Sequence, residues 1–87
     1  MKRVPIEIYS TTTCPHCVRA KKLLEGKGIP FVEFNLTEQP FRRAEFTVRT
    51  LGAKTVPQIF INDELVGGAD DLVRLNASGE LDRLLKE

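Results

Sequence analysis

Several things are scarce in this chain, and each scarcity removes a class of protein. It has no surplus of one charge: 13 basic and 12 acidic residues leave a formal net charge of +1, with the two signs interleaved. Nucleic-acid binding therefore has no electrostatic footprint. Long apolar runs are missing too, and nothing approaches the roughly 20 apolar residues that span a bilayer. No repeat or low-complexity tract is visible, and 41% apolar residues speak against disorder. The start, Met1-Lys2-Arg3-Val4-Pro5, runs into Ile6-Glu7-Ile8-Tyr9, so no apolar core of a signal peptide forms. With 87 residues, one domain over residues 1–87 and a cytoplasmic location are expected.

Cysteine is the most informative scarcity. There are two, Cys14 and Cys17, in one Cys14-Pro15-His16-Cys17 motif. A structural zinc site needs four ligands, and two cysteines with His16 between them fall short, so no metal is expected. A structural disulfide closing so short a loop would stabilise by only roughly 2 kcal/mol before strain. In a reducing compartment such a pair reads better as redox chemistry.

The rest of the chain gives the motif its place. Ile6-Glu7-Ile8-Tyr9 alternates as a strand, and Ser10 to Thr13 end it. Pro15 to Glu25 reads as a helix, with Pro15 suited to its first turn and Gly26-Lys27-Gly28 stopping it. Phe31 to Asn35 is a second strand. A second helix begins near Pro40, where Phe41, Ala44, Val48 and Leu51 recur at steps of three or four until Gly52. Val56 to Ile61 and Glu64 to Val66 form a hairpin about Asn62-Asp63. Gly67-Gly68 leads into a helix over Asp70 to Asn76, and a last helix covers Glu80 to Lys86. The order β-α-β-α-β-β-α-α predicts an α/β fold, a four-stranded mixed sheet with helices on both faces.

Cys14 then lies where the first strand meets the first helix. Unpaired N–H groups and the helix dipole favour a thiolate there. Cys14 is the expected attacking thiolate. Cys17, inside the first turn, is the resolving thiol that releases a substrate held on Cys14. His16 reads either as a solvated residue or as a donor to the Cys14 thiolate. The second role would make the protein more oxidising.

With these motifs in order, the chain resembles the glutaredoxin family, in particular its short bacterial dithiol type. The resemblance rests on Thr13-Cys14-Pro15-His16-Cys17, Thr55-Val56-Pro57-Gln58-Ile59-Phe60-Ile61 and Gly67-Gly68-Ala69-Asp70-Asp71-Leu72. It implies a thioredoxin-like fold, a cis Val56-Pro57 peptide, and glutathione as reductant and co-substrate. The implied partners are disulfide-containing or glutathionylated proteins, with no nucleic acid, no membrane and a monomeric state. Catalytic roles fall on Cys14, Pro15, His16 and Cys17. Glutathione contacts fall on Thr11, His16, Thr55, Val56, Pro57, Gly68, Ala69, Asp70 and Asp71. The amine of the γ-glutamyl group would be met by Asp70 or Asp71; Asp70 also reads as a helix N-cap. Arg49 is either a donor to the glycyl carboxylate or a solvated arginine on the second helix.

Three positions depart from the family pattern. His16 stands where tyrosine is usual, Thr11 where many members carry lysine, and Ala69 where many bacterial members carry a third cysteine. Arg19, Lys21 and Lys22 read as surface charges that compensate for the missing lysine only at a distance. Two other functions share the motif set. One is a redoxin reduced by thioredoxin reductase. The other is a carrier of a glutathione-ligated iron–sulfur cluster, against which Pro15 counts.

Overall fold

A computed structural model describes residues 4–85. The strands are β1 (Ile6–Ser10), β2 (Val32–Asn35), β3 (Gln58–Ile61) and β4 (Glu64–Gly67). The helices are α1 (Pro15–Gly26), α2 (Arg43–Arg49), α3 (Ala69–Ser78) and α4 (Glu80–Leu84), with a 3-10 turn at Pro40–Arg42 before α2. The four strands form one sheet in the order β2-β1-β3-β4. β1 runs parallel to β2, with Ile8 opposite Glu33. It runs antiparallel to β3, with Ile8 opposite Ile59. The hairpin β3–β4 turns through Asn62 and Asp63, both at positive φ (54° and 66°) as a two-residue turn of this hand requires. The mixed sheet and the order of elements are those expected.

Alternation within the strands builds two different faces. Ile6, Ile8, Ile59 and Ile61 point to one side and meet Ala20 and Leu24 of α1, Ala69 and Leu72 of α3, and Leu81 of α4. Each large aliphatic so buried contributes roughly 1.5–3 kcal/mol. Tyr9 and Phe60 point to the other side and pack with Leu36 and with Phe46 of α2. The Tyr9 ring lies 5.4 Å from Phe46 and 5.9 Å from Phe60, both edge-on. Helices thus cover both faces.

Three details differ from the sequence reading. The second helix is shorter, because the segment after Pro40 begins as a 3-10 turn. The stripe that marked it also faces water: Phe41, Val48 and Leu51 are 74%, 74% and 92% exposed, while Phe46 is the residue it buries. A short helix over a small sheet has one inward position per turn, and Phe46 fills it. The third strand starts at Gln58, since Val56-Pro57 forms a cis peptide ahead of it. Of the last helix, Lys86 lies outside the described residues.

The sheet directions bring three loops together. β1 ends, β3 begins and β4 ends at the same edge of the molecule. The chain leaves there toward Cys14, arrives through Val56-Pro57, and leaves again through Gly67-Gly68.

Candidate active site

Cys14 is the N-cap of α1, in extended conformation (φ −137°, ψ 101°), and Pro15 opens the helix. The Cys17 backbone N–H donates to Cys14 Sγ at 3.1 Å. This is the hydrogen bond that an N-cap side chain makes, here to sulfur. The Cys14 thiol in turn donates to the Val56 carbonyl at 3.6 Å. A negative charge on Cys14 would keep the N–H donor and gain from the helix dipole.

Cys17 is different in kind. It is 1% exposed and forms the inner stripe of α1 with Ala20 and Leu24. Burial pushes its thiol up to about 12, aided by Cys14 and opposed by the Thr11 backbone N–H and the Lys21 charge. At neutral pH Cys17 is therefore a thiol. One turn further along α1, Lys21 Nζ meets Glu33 Oε2 at 2.8 Å, and the Ser10 hydroxyl donates to the same oxygen at 2.6 Å. Burial alone would raise the Glu33 carboxyl, but these two donors hold it below the ordinary carboxylate range.

Beside Cys14 opens a cleft of about 350 Å³, lined by His16 and Arg19 of α1, Thr55 to Gln58, and Gly67 to Asp71. Its floor is fixed by short-range constraints. Gln58 Nε2 donates to the Thr55 carbonyl at 3.1 Å and braces the turn before Pro57. The Asp71 carboxylate accepts from the Gly68 N–H at 3.0 Å, capping α3 from its third residue. Gly67, at φ +122°, must be glycine here: a Cβ would come within 2.8 Å of the Asp71 carboxyl carbon. Across the mouth, Arg19 Nη2 meets Asp70 Oδ1 at 2.6 Å.

Most residues singled out from the sequence meet at this cleft: His16, Thr55, Val56, Pro57, Gly68, Ala69, Asp70 and Asp71. The N-cap role assigned to Asp70 belongs instead to Gly68, with Asp71 supplying the carboxylate. His16 is exposed and makes no hydrogen bond to either sulfur. Thr11 is outside the lining set, with its backbone turned to Cys17.

Arg49 requires a correction. It is not at the cleft but toward the opposite end of the sheet, where Nη2 meets Glu7 at 2.7 Å and Asp63 at 3.4 Å, and Nη1 donates to the Tyr9 hydroxyl at 3.0 Å. Its guanidinium lies 4.0 Å over the Phe60 ring. The physical reason is the direction of α2, whose last turn ends over the β3–β4 turn. Sequence reasoning missed Arg19 and Gln58 as lining residues, for which no local signal existed. The Gly67-Gly68 doublet, read as a place of close backbone approach, does line the cleft.

Comparison with known proteins agrees with this geometry. Residues 6–66 match the family model described as Glutaredoxin. A glutaredoxin of Pseudomonas aeruginosa is 49% identical over 81 residues, spanning 93% of this chain and 95% of its own. The chain belongs to the glutaredoxin family. The solution structure of a glutaredoxin from Brucella melitensis is similar with a TM-score of 0.82 at 46% identity, over 99% of this chain and 92% of that one. A buckwheat glutaredoxin solved as a glutathione complex gives 0.81 at 29% identity, over 94% and 76%. The fold is thioredoxin-like, and the activity of the family is thiol–disulfide exchange. Glutaredoxins are reduced by glutathione. No cluster of three or more histidine, cysteine or acidic side chains suited to a metal occurs among the described residues. No helix among them is long and apolar enough to cross a membrane.

Proposed function

We propose that this glutaredoxin reduces glutathione mixed disulfides and protein disulfides, with Cys14 as nucleophile, Cys17 as resolving thiol and glutathione as electron donor. The observation that carries this reading is the asymmetry of the two sulfurs. Cys14 is capped by an N–H at 3.1 Å beside a 350 Å³ cleft, while Cys17 is sealed behind it.

On a glutathionylated protein, the Cys14 thiolate attacks the glutathione sulfur. The S–S bond breaks, the protein thiolate leaves and takes a proton, and glutathione remains on Cys14. A second glutathione thiolate attacks that glutathione sulfur, oxidised glutathione leaves, and Cys14 returns as thiolate. On a protein disulfide, Cys14 takes one sulfur, and Cys17 then loses its proton and attacks Cys14. The substrate leaves as a dithiol, and two glutathiones reduce the resulting Cys14–Cys17 disulfide. An in-line attack needs the substrate sulfur held against Cys14. In our reading the backbone of Val56 pairs with the bound cysteine residue, Thr55 and Pro57 wall it, and Gly68 with the α3 N-terminus meets the γ-glutamyl end. His16 lines the mouth of the cleft without a bond to either sulfur.

The test is a coupled assay of peptide–glutathione disulfide reduction in which glutathione is regenerated by glutathione reductase. Turnover that instead requires thioredoxin reductase would assign a different donor.

A further inference from the structure

Arg19, a surface charge by its place in the sequence, forms one wall of the cleft and reaches across it to Asp70, from α1 to α3. The pair is open to water, with side chains 48% and 80% exposed, so it adds little to the stability of the fold. What it does is place one cation and one anion side by side at the mouth. Asp71 cannot serve as that anion, because Oδ2 caps Gly68 and Oδ1 is taken by Arg74. Asp70 keeps its second oxygen without a hydrogen bond among the described residues. A γ-glutamyl head group carries its ammonium and its carboxylate on the same carbon, a pair of opposite charges of matching spacing and reversed order.

We propose that Arg19 is the recognition residue for the α-carboxylate of the γ-glutamyl group, acting as a pair with Asp70, whose second oxygen takes the ammonium. The assignment rests on the glutathione reading above. Arg19 donates through a planar fork suited to a carboxylate.

Three mixed disulfides on one peptide separate the possibilities: glutathione, 4-aminobutyryl-cysteinyl-glycine (which lacks only the α-carboxylate), and cysteinyl-glycine (which lacks the γ-glutamyl residue). Second-order rate constants for release of the peptide thiol from reduced protein are measured for the unaltered chain, Arg19→Ala and Arg19→Lys. Arg19→Ala is expected to slow the glutathione substrate by about three- to fivefold, the scale of an exposed ion pair. It should leave the 4-aminobutyryl substrate within about twofold, and Arg19→Lys should recover part of the loss. An equal loss on both substrates, no loss, or a gain on the glutathione substrate would overturn the role of Arg19. If the unaltered chain reacts equally with the glutathione and cysteinyl-glycine substrates, the glutathione reading itself fails.

Discussion

Two arginine clusters stand at opposite ends of the same sheet, and they use the same chemistry for different ends. At the far end, Arg49 is half-buried, stacks on Phe60 and meets Glu7, Asp63 and the Tyr9 hydroxyl. Tyr9 in turn donates to Glu45 at 2.6 Å, and Arg42 closes the chain onto Glu45. Burial, with Glu45 as acceptor, pushes the Tyr9 hydroxyl up, against the pull of Arg49. Arg49, Tyr9 and Arg42 each bond to other side chains of the fold. At the cleft, Arg19 is half exposed, and among the described residues it has one partner, Asp70, and covers no aromatic ring. The difference shows that an arginine's role is set by what lies beneath its helix. Over an aromatic face it is cement, and over an open cleft it is available to a ligand.

The sharpest way to break this comparison is to measure both ends in one assay. Cys14→Ser should abolish reduction of glutathionylated peptide, a loss of about a thousandfold or more, as expected when the nucleophile itself is removed. Arg49→Met should leave that rate within about twofold. A large loss of rate in Arg49→Met under conditions where circular dichroism shows the variant fully folded would return Arg49 to the site.

Stability should rank the clusters the other way. Arg49→Met leaves half-buried Glu7 without its cation and removes one of the two hydrogen bonds of the Tyr9 hydroxyl, and is expected to cost about 1–3 kcal/mol in urea unfolding. Arg19→Ala should stay within about 0.5 kcal/mol. Gly67→Ala sharpens the contrast, because it acts at the cleft yet through the backbone. With φ at +122° and the Asp71 carboxyl in the way, it should destabilise by roughly 1–3 kcal/mol and slow the glutathionylated substrate together.

Titration tests the sulfurs. At pH 7.5 a brief iodoacetamide pulse should label Cys14 and leave Cys17 intact until the chain is unfolded, as mass spectrometry of the peptides reports. The reduced form should also lose stability in alkali. Cys17 holds its proton to about 12 when folded but releases it near the ordinary thiol value when unfolded. Its contribution is therefore complete below about pH 8.5 and fades as pH rises toward about 12. The difference in stability between the unaltered chain and Cys17→Ala should shrink over that window. The smallest effect belongs to His16. Without a bond to either sulfur, His16→Tyr should lower the midpoint potential, by no more than about 30 mV.

Much of the fold was legible in the sequence because its signals are local. Alternation in Ile6 to Tyr9, proline after Cys14, and glycines at helix ends each describe a few adjacent residues. The three motifs named the cleft for the same reason. Longer-range facts were not legible. Phe41, Val48 and Leu51 have helical spacing but point to water, since period alone does not say which side the sheet is on. Arg49 and Arg19 could not be told apart because their partners, Glu7 and Asp70, are set by where α2 and α1 end in space. Lys21, Glu33 and Ser10 likewise meet only when β2 lies beside β1.

The asymmetry of the two sulfurs is tested most directly by mass spectrometry of Cys17→Ser after one turnover with a glutathionylated peptide. The prediction is a single glutathione on Cys14, removed by added glutathione with turnover continuing. Glutathione found on Cys17 in the matching Cys14→Ser experiment, at a comparable rate, would contradict it.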